Sequence, residues 1–181
     1  MIVKKLESRL ATMNQLGLRN EVEVLGIHES KGEEPVHLAL VIASKIGLSI
    51  EAEDVEDAGR VGSRRVSEDK INKTIPRPLV VRFVKKSVRD NFLKEARVRR
   101  TLNSKDIADG SVDQRVYVNE RLTTENRQLF RAARERATEC DYKFCWVKNG
   151  SIYVRKRDGG PALRITSQDD IRSLGGPEPR S

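Results

Sequence analysis

Pro78-Leu79-Val80-Val81-Arg82-Phe83-Val84 is the strongest strand signal in the chain, a run of β-branched and aromatic residues opened by a proline. Residues 87–100 follow as a helix, with Ser87 placed as its N-cap and Val88, Phe92 and Ala96 recurring on one face. Upstream, Glu21 to Ile27 alternates polar and apolar residues, as a strand does. Pro35 opens a helix carrying Val36, Leu38, Leu40, Val41, Ile42 and Ile46, and Gly47 closes it. Val55 to Val61 reads as a second strand, and residues 63–77 as a long polar, basic loop. Downstream, Asn103 to Gln114 is a polar loop before a fourth strand at Val116-Tyr117-Val118.

The order over residues 21–119 is strand, helix, strand, strand, helix, strand. This is the split-βαβ, ferredoxin-like order, which RNA-recognition-motif domains share with many unrelated proteins. A second unit follows. Thr123 or Thr124 caps a helix running to about Glu139, with Leu129, Ala132, Ala133 and Ala137 on its apolar side. Tyr142 to Val147 and Ile152 to Lys156 flank Asn149-Gly150, the signature of a tight type I′ hairpin. A short strand at Leu163-Arg164-Ile165 and a helix capped by Ser167 complete the unit. The expected fold class is therefore α+β: an N-terminal helix over 1–17, a ferredoxin-like domain over 18–120, a small α+β domain over 121–175 and a tail over 176–181.

The 181 residues carry 35 basic and 27 acidic side chains, a net charge of +8. The excess is uneven. By residue count, 1–63 is net acidic, 64–105 strongly basic, 106–120 acidic again and 121–181 basic. Basic segments separated in sequence suggest one basic face assembled from two places and an acidic partner, most simply nucleic acid. The bland alternative is a set of solvated basic faces. No stretch reaches the roughly 18–20 unbroken apolar residues of a membrane span. The first residues lack the apolar run of a signal peptide, so a reducing, intracellular setting, cytoplasmic or nuclear, is expected. Two cysteines exclude a disulfide scaffold.

Leu6, Leu10, Met13 and Leu16 form a narrow stripe on the N-terminal helix, as at the end of a coiled coil, and suggest self-association.

Several segments resemble known families. Asn20 to Glu29 resembles the strand and turn that follow the coiled coil in LINE retrotransposon first-open-reading-frame proteins. Ala58-Gly59-Arg60-Val61-Gly62 and Arg77-Pro78-Leu79-Val80-Val81-Arg82-Phe83 resemble two further segments of those proteins. Leu122-Thr123 to Arg127, with Tyr142 to Lys156, resembles the C-terminal domain of the baculovirus few-polyhedra protein and its insect retrotransposon relatives. The resemblance implies a coiled-coil tail, a non-standard RNA-recognition-motif domain and a small C-terminal domain. It also implies single-stranded RNA or DNA as the ligand and a chaperone-like role in a ribonucleoprotein particle. The viral relatives imply the alternative, a protein-interaction module without nucleic-acid binding.

An RNA-recognition motif stacks bases on aromatics of its central strands. Here only Phe83 is available there, and it reads as core, so phosphate contacts are expected to dominate. The candidates are Arg60, Arg64, Arg65, Arg77, Arg82, Lys85, Lys86, Arg89, Arg97, Arg99 and Arg100, then Lys143, Lys148, Arg155, Lys156 and Arg164. Arg82, a charge in mid-strand, is expected to face solvent or ligand. Arg155 and Arg164 are the phosphate contacts expected in the second unit. A basic groove between the two domains is the expected site. Alternation puts Tyr142, Phe144 and Trp146 on one face, which reads as core, and Lys143, Cys145 and Val147 on the other. Cys140 and Cys145 lack the further ligands of a zinc site, and no phosphate loop, nucleophile elbow or paired carboxylate set is in view. No enzyme activity, metal or cofactor is expected.

Overall fold

The computed structural model describes residues 2–63, 65–66, 74–108 and 111–175. Arg64, most of the loop expected at 63–77 and the tail expected at 176–181 lie outside them. The chain forms two compact units, Asn20–Arg121, and Leu122–Ser181 together with Met1–Arg19. Both mix helices with antiparallel sheet, so the α+β expectation holds.

The first unit contains β1 (Glu21–Leu25), α2 (Pro35–Ile46), β2 (Val55–Arg60), β3 (Arg65–Val66), β4 (Thr74–Ile75), β5 (Leu79–Phe83), α3 (Lys86–Val98) and β6 (Tyr117–Glu120); α1 (Ile2–Gly17) precedes it. Its sheet has the order β2-β5-β1-β6, with antiparallel neighbours. Val22, Val24, Leu79, Val81 and Phe83 are fully buried on the face that α2 and α3 cover with Leu38, Ala39, Ile42, Phe92 and Leu93. The Phe83 and Phe92 rings lie 5.2 Å apart, so Phe83 is core and offers no surface to a base. Gly47 closes α2 at φ 83°, a left-handed cap that donates its N–H to Ser44 O at 3.0 Å. The loop expected at 63–77 departs from expectation: it contains the short ribbon β3–β4, pairing Arg65 with Ile75 and Val66 with Thr74. Ser87 is not a cap either. The helix begins at Lys86, with Lys85 in the capping position, and Ser87 lies inside it.

Arg89 is the main departure in this unit. Expected on the basic surface of α3, it is buried, its side chain 3% exposed, and bonded to Glu120, 5% exposed, at 3.1 Å. It also meets Asp90 at 2.8 Å and Glu21 O at 3.5 Å. The pair ties α3 to the edge strand β6, because Glu120 sits opposite core Val22. A charge at that position has to be matched by an opposite one.

The second unit is a three-stranded antiparallel sheet, β7 (Phe144–Lys148), β8 (Ser151–Arg155) and β9 (Leu163–Ile165), with α4 (Thr124–Glu139) and α5 (Gln168–Ser173) packed on one face. Thr123 caps α4, accepting from the Asn126 N–H at 3.2 Å. Gln15 of α1 accepts from the Thr123 N–H at 3.1 Å and from Asn126 Nδ2 at 2.9 Å, joining the N-terminal helix to this unit. Ser167 and Asp170 form a reciprocal cap on α5.

Removing one partner of a buried ion pair leaves the other charge stranded, at a cost of about 3–5 kcal/mol. Glu120→Ala is expected to destabilise the first unit by that amount in urea unfolding followed by circular dichroism. Arg89→Met/Glu120→Leu together is expected to recover most of it. Equal loss in single and double variants would show that the pair is not the cause.

Candidate functional site

The Asn149-Gly150 turn decides which residues share a face in the second unit. Both turn residues have positive φ, 50° and 73°, as a type I′ hairpin requires. The two-residue turn fixes Lys148 opposite Ser151, hence Trp146 opposite Tyr153 and Phe144 opposite Arg155. Across the next pair, Arg164 stands opposite Tyr153. Residues directly opposite one another in a ladder lie on the same face. Phe144, Trp146, Lys148, Tyr153, Arg155 and Arg164 therefore occupy one side of the sheet. The other side carries Cys145, Val147, Ile152, Val154 and Ile165, which pack with Ala133, Ala137, Ile171 and Leu174.

This corrects the expectation that the face of Phe144 and Trp146 is core. The helix meets the sheet through Ala133 and Ala137, both essentially buried. Alanine contacts bring helix and sheet close, and the strands fill the gap with Cys145, Val147, Ile152 and Val154. Tyr142 lies before β7 begins and packs against the core, so it does not share the open face.

On that open face the rings are half-buried and ordered among themselves. Trp146 and Tyr153 stack at 5.6 Å with 21° between their planes. The Arg155 guanidinium lies 4.5 Å from the centre of Phe144 and 5.6 Å from that of Trp146. Its Nε is buried and has no hydrogen-bond partner among the described residues, so the aromatic faces are what hold it. Arg164 and Lys148 are exposed at the margins. Lys143 is engaged by Asp158 and lies 5.3 Å from the Phe144 ring, and Lys156 is 5.9 Å from Tyr142. The face thus combines stacked rings with guanidinium and ammonium groups. On the opposite side, burial pushes the pKa of the Cys145 thiol up to about 11, which keeps it protonated.

The first unit disposes its arginines differently. Arg60 is 4% exposed and donates to both oxygens of Glu33, at 2.7 and 2.9 Å, and to the carbonyls of Ile27, His28 and Arg77. It holds the 26–34 loop in place and has no donor left for a phosphate, contrary to expectation. Arg89 is withdrawn into its buried pair in the same way. Arg77 is paired with Glu29, and Arg82 with Glu21 directly across the ladder. Hydrogen bonding to Glu21 raises the Arg82 pKa above its ordinary value, and Glu29 does the same for Arg77. Arg121, absent from the sequence-based candidates, bonds Glu23 at 2.6 Å. Where an RNA-recognition motif shows stacking rings, this sheet shows Glu21 and Glu23 matched by Arg82 and Arg121. Lys86 pairs with Asp90, and Arg97 reaches Glu120 at 3.7 Å. Lys85, Arg99 and Arg100 are exposed. Arg65 begins the β3–β4 ribbon.

Among the described residues no group of three His, Cys, Asp or Glu side chains could hold a metal ion, and no helix is long and apolar enough to cross a membrane.

Residues 123–175 match the family model described as Baculovirus FP protein domain 2. The match begins at the cap of α4 and takes in α4, β7, β8, β9 and α5, so it contains the whole aromatic face. It does not extend over the first unit. No curated protein matches the chain.

The face depends on the hairpin turn. Gly150→Ala places a Cβ at φ 73°, and that Cβ would stand 2.7 Å from Gln15 Cγ. A non-glycine residue in the left-handed region costs about 1–2 kcal/mol. The variant is expected to unfold earlier in denaturant by that amount, read from the emission of the single tryptophan, Trp146. An unchanged midpoint would mean that the turn tolerates a side chain.

Proposed function

We propose that this chain binds single-stranded nucleic acid through the open face of its C-terminal sheet. The observation that carries the reading is the Trp146–Tyr153 stack flanked by Arg155, Arg164 and Lys148. Aromatic rings accept the faces of unstacked bases, each worth about 1–3 kcal/mol, while guanidinium and ammonium groups meet the phosphates. Such binding tolerates sequence changes, because every base has a π-face. The segments resembling retrotransposon proteins over residues 20–83 support the same ligand class and a chaperone-like role. In this reading the arginines of the first unit that are paired with carboxylates contribute little.

Fluorescence anisotropy with labelled single-stranded RNA, single-stranded DNA and duplex DNA over a salt series tests it. Single strands are expected to bind more tightly than duplex, with affinity falling as salt rises. Trp146→Ala is expected to weaken binding roughly 5- to 150-fold, the equivalent of one base stack removed. Arg82→Ala, whose guanidinium Glu21 already engages, is expected to change it little. Absence of binding at low salt would sink the reading and leave a protein partner as the alternative.

Self-association through α1 belongs to the same proposal. Leu6, Leu10, Met13 and Leu16 are 55–68% exposed on one side of the helix. A second copy of that helix would cover the stripe. Sedimentation velocity is expected to show a concentration-dependent oligomer that Leu6→Glu/Leu10→Glu/Met13→Glu converts to monomer. A wild-type chain monomeric at all concentrations would refute it.

A further inference from the structure

Helix α4 has a second long face that the sheet does not use. Leu129, Ala133 and Ala137 turn inward. Arg127, Arg131 and Arg134 recur at the spacing that puts them on one exposed flank. Phe130 lies beside them, partly buried, with the Arg134 guanidinium 6.0 Å from its ring centre. With Glu135 and Thr138 these side chains line an open cleft of about 450 Å³. Arg131 bonds Glu135 at 3.1 Å, but both side chains are mostly exposed. A surface pair of that kind is worth little and can be exchanged for a phosphate.

From this stripe we infer that the flank of α4 is a second nucleic-acid contact surface, holding the phosphate backbone of a strand other than the one on the sheet. Charge complementarity selects the occupant. The guanidinium groups of Arg131 and Arg134, on adjacent turns, present forked donors suited to phosphate, and the phenyl ring of Phe130 beside them suits a base. Position selects the second strand. The helix packs on one face of the sheet and the aromatic platform lies on the other, so a strand lying along the platform has to turn round the edge of the sheet to reach the arginines. The inference shares its ligand class with the platform reading but uses none of the same residues.

The experiment uses the full chain carrying Leu6→Glu/Leu10→Glu/Met13→Glu, so that two associated copies cannot account for two bound strands. Two non-complementary single-stranded DNA oligonucleotides carry a donor and an acceptor dye. The chain is expected to bind two strands and to produce energy transfer between them. Arg131→Gln/Arg134→Gln, at exposed positions that leave the core intact, is expected to abolish the transfer and reduce the stoichiometry to one strand. Trp146→Ala/Arg155→Ala is expected to do the same from the other side. In that second background, adding the α4 changes is expected to lower the salt slope of the residual binding by about 1.4, at about 0.7 for each single-strand phosphate that an arginine no longer neutralises. Two strands still bound after the α4 changes would overturn the inference and leave the stripe to an acidic protein surface. One strand bound by the starting chain, lost with the sheet changes and kept with the α4 changes, would overturn it as well. Binding abolished by changing α4 but unaffected by changing the sheet would instead refute the platform reading and uphold the α4 surface. No binding of either oligonucleotide would overturn both.

Discussion

A charge taken out of water has to meet an opposite charge or a set of donors, and this one constraint disposes the arginines of both units. Arg89 reaches its place beneath α3 because Glu120 waits there on β6. Arg60 can cross the end of the first sheet because Glu33 and three backbone carbonyls receive it. Two arginines of the strongly basic stretch 64–105 find their partners in the acidic stretch 1–63. Glu21 meets Arg82, Glu29 meets Arg77 and Glu33 meets Arg60, the last from just outside the basic stretch. The charge asymmetry along the chain is therefore partly intramolecular complementarity, and less of it is available to a ligand than composition suggests.

In the C-terminal unit the same constraint acts by exclusion. Arg155 has no carboxylate to meet among the described residues, so its side of the sheet has to stay open, and the aromatics that share that side stay open with it. On the opposite face Ala133 and Ala137 of α4 pack with Ile152, Val154 and Ile165, so that side of the sheet is the core. The guanidinium then does double service. It lies over Phe144 and Trp146, which hold it in place, while its charge and its terminal N–H groups suit phosphate.

The two units carry contrasting sheets. One open face is a lattice of matched charges around Glu21 and Glu23; the other is a cluster of rings edged with cations. If the first were a stacking surface in the manner of an RNA-recognition motif, its central strands would have to present aromatics. They present carboxylates instead, and Phe83 faces the core.

Read alone, the sequence determined the α+β class, the order of the six main elements over 21–119, the hairpin at Asn149-Gly150, a cap at Thr123 or Thr124 and the cap at Ser167. These follow from local periodicity and turn chemistry, which need no knowledge of what packs where. The orientation of the C-terminal face was also within reach. The two-residue turn places Phe144 opposite Arg155, and an unpaired arginine cannot share a buried face. The strand's own alternation, read without that pairing, pointed the other way. The withdrawal of Arg60 and Arg89 was not legible. Their partners lie 27 and 31 residues away along the chain, and only the tertiary fold decides whether a distant carboxylate arrives beside a given guanidinium. Packing at long range selects which cations are spent on the fold and which remain for a ligand.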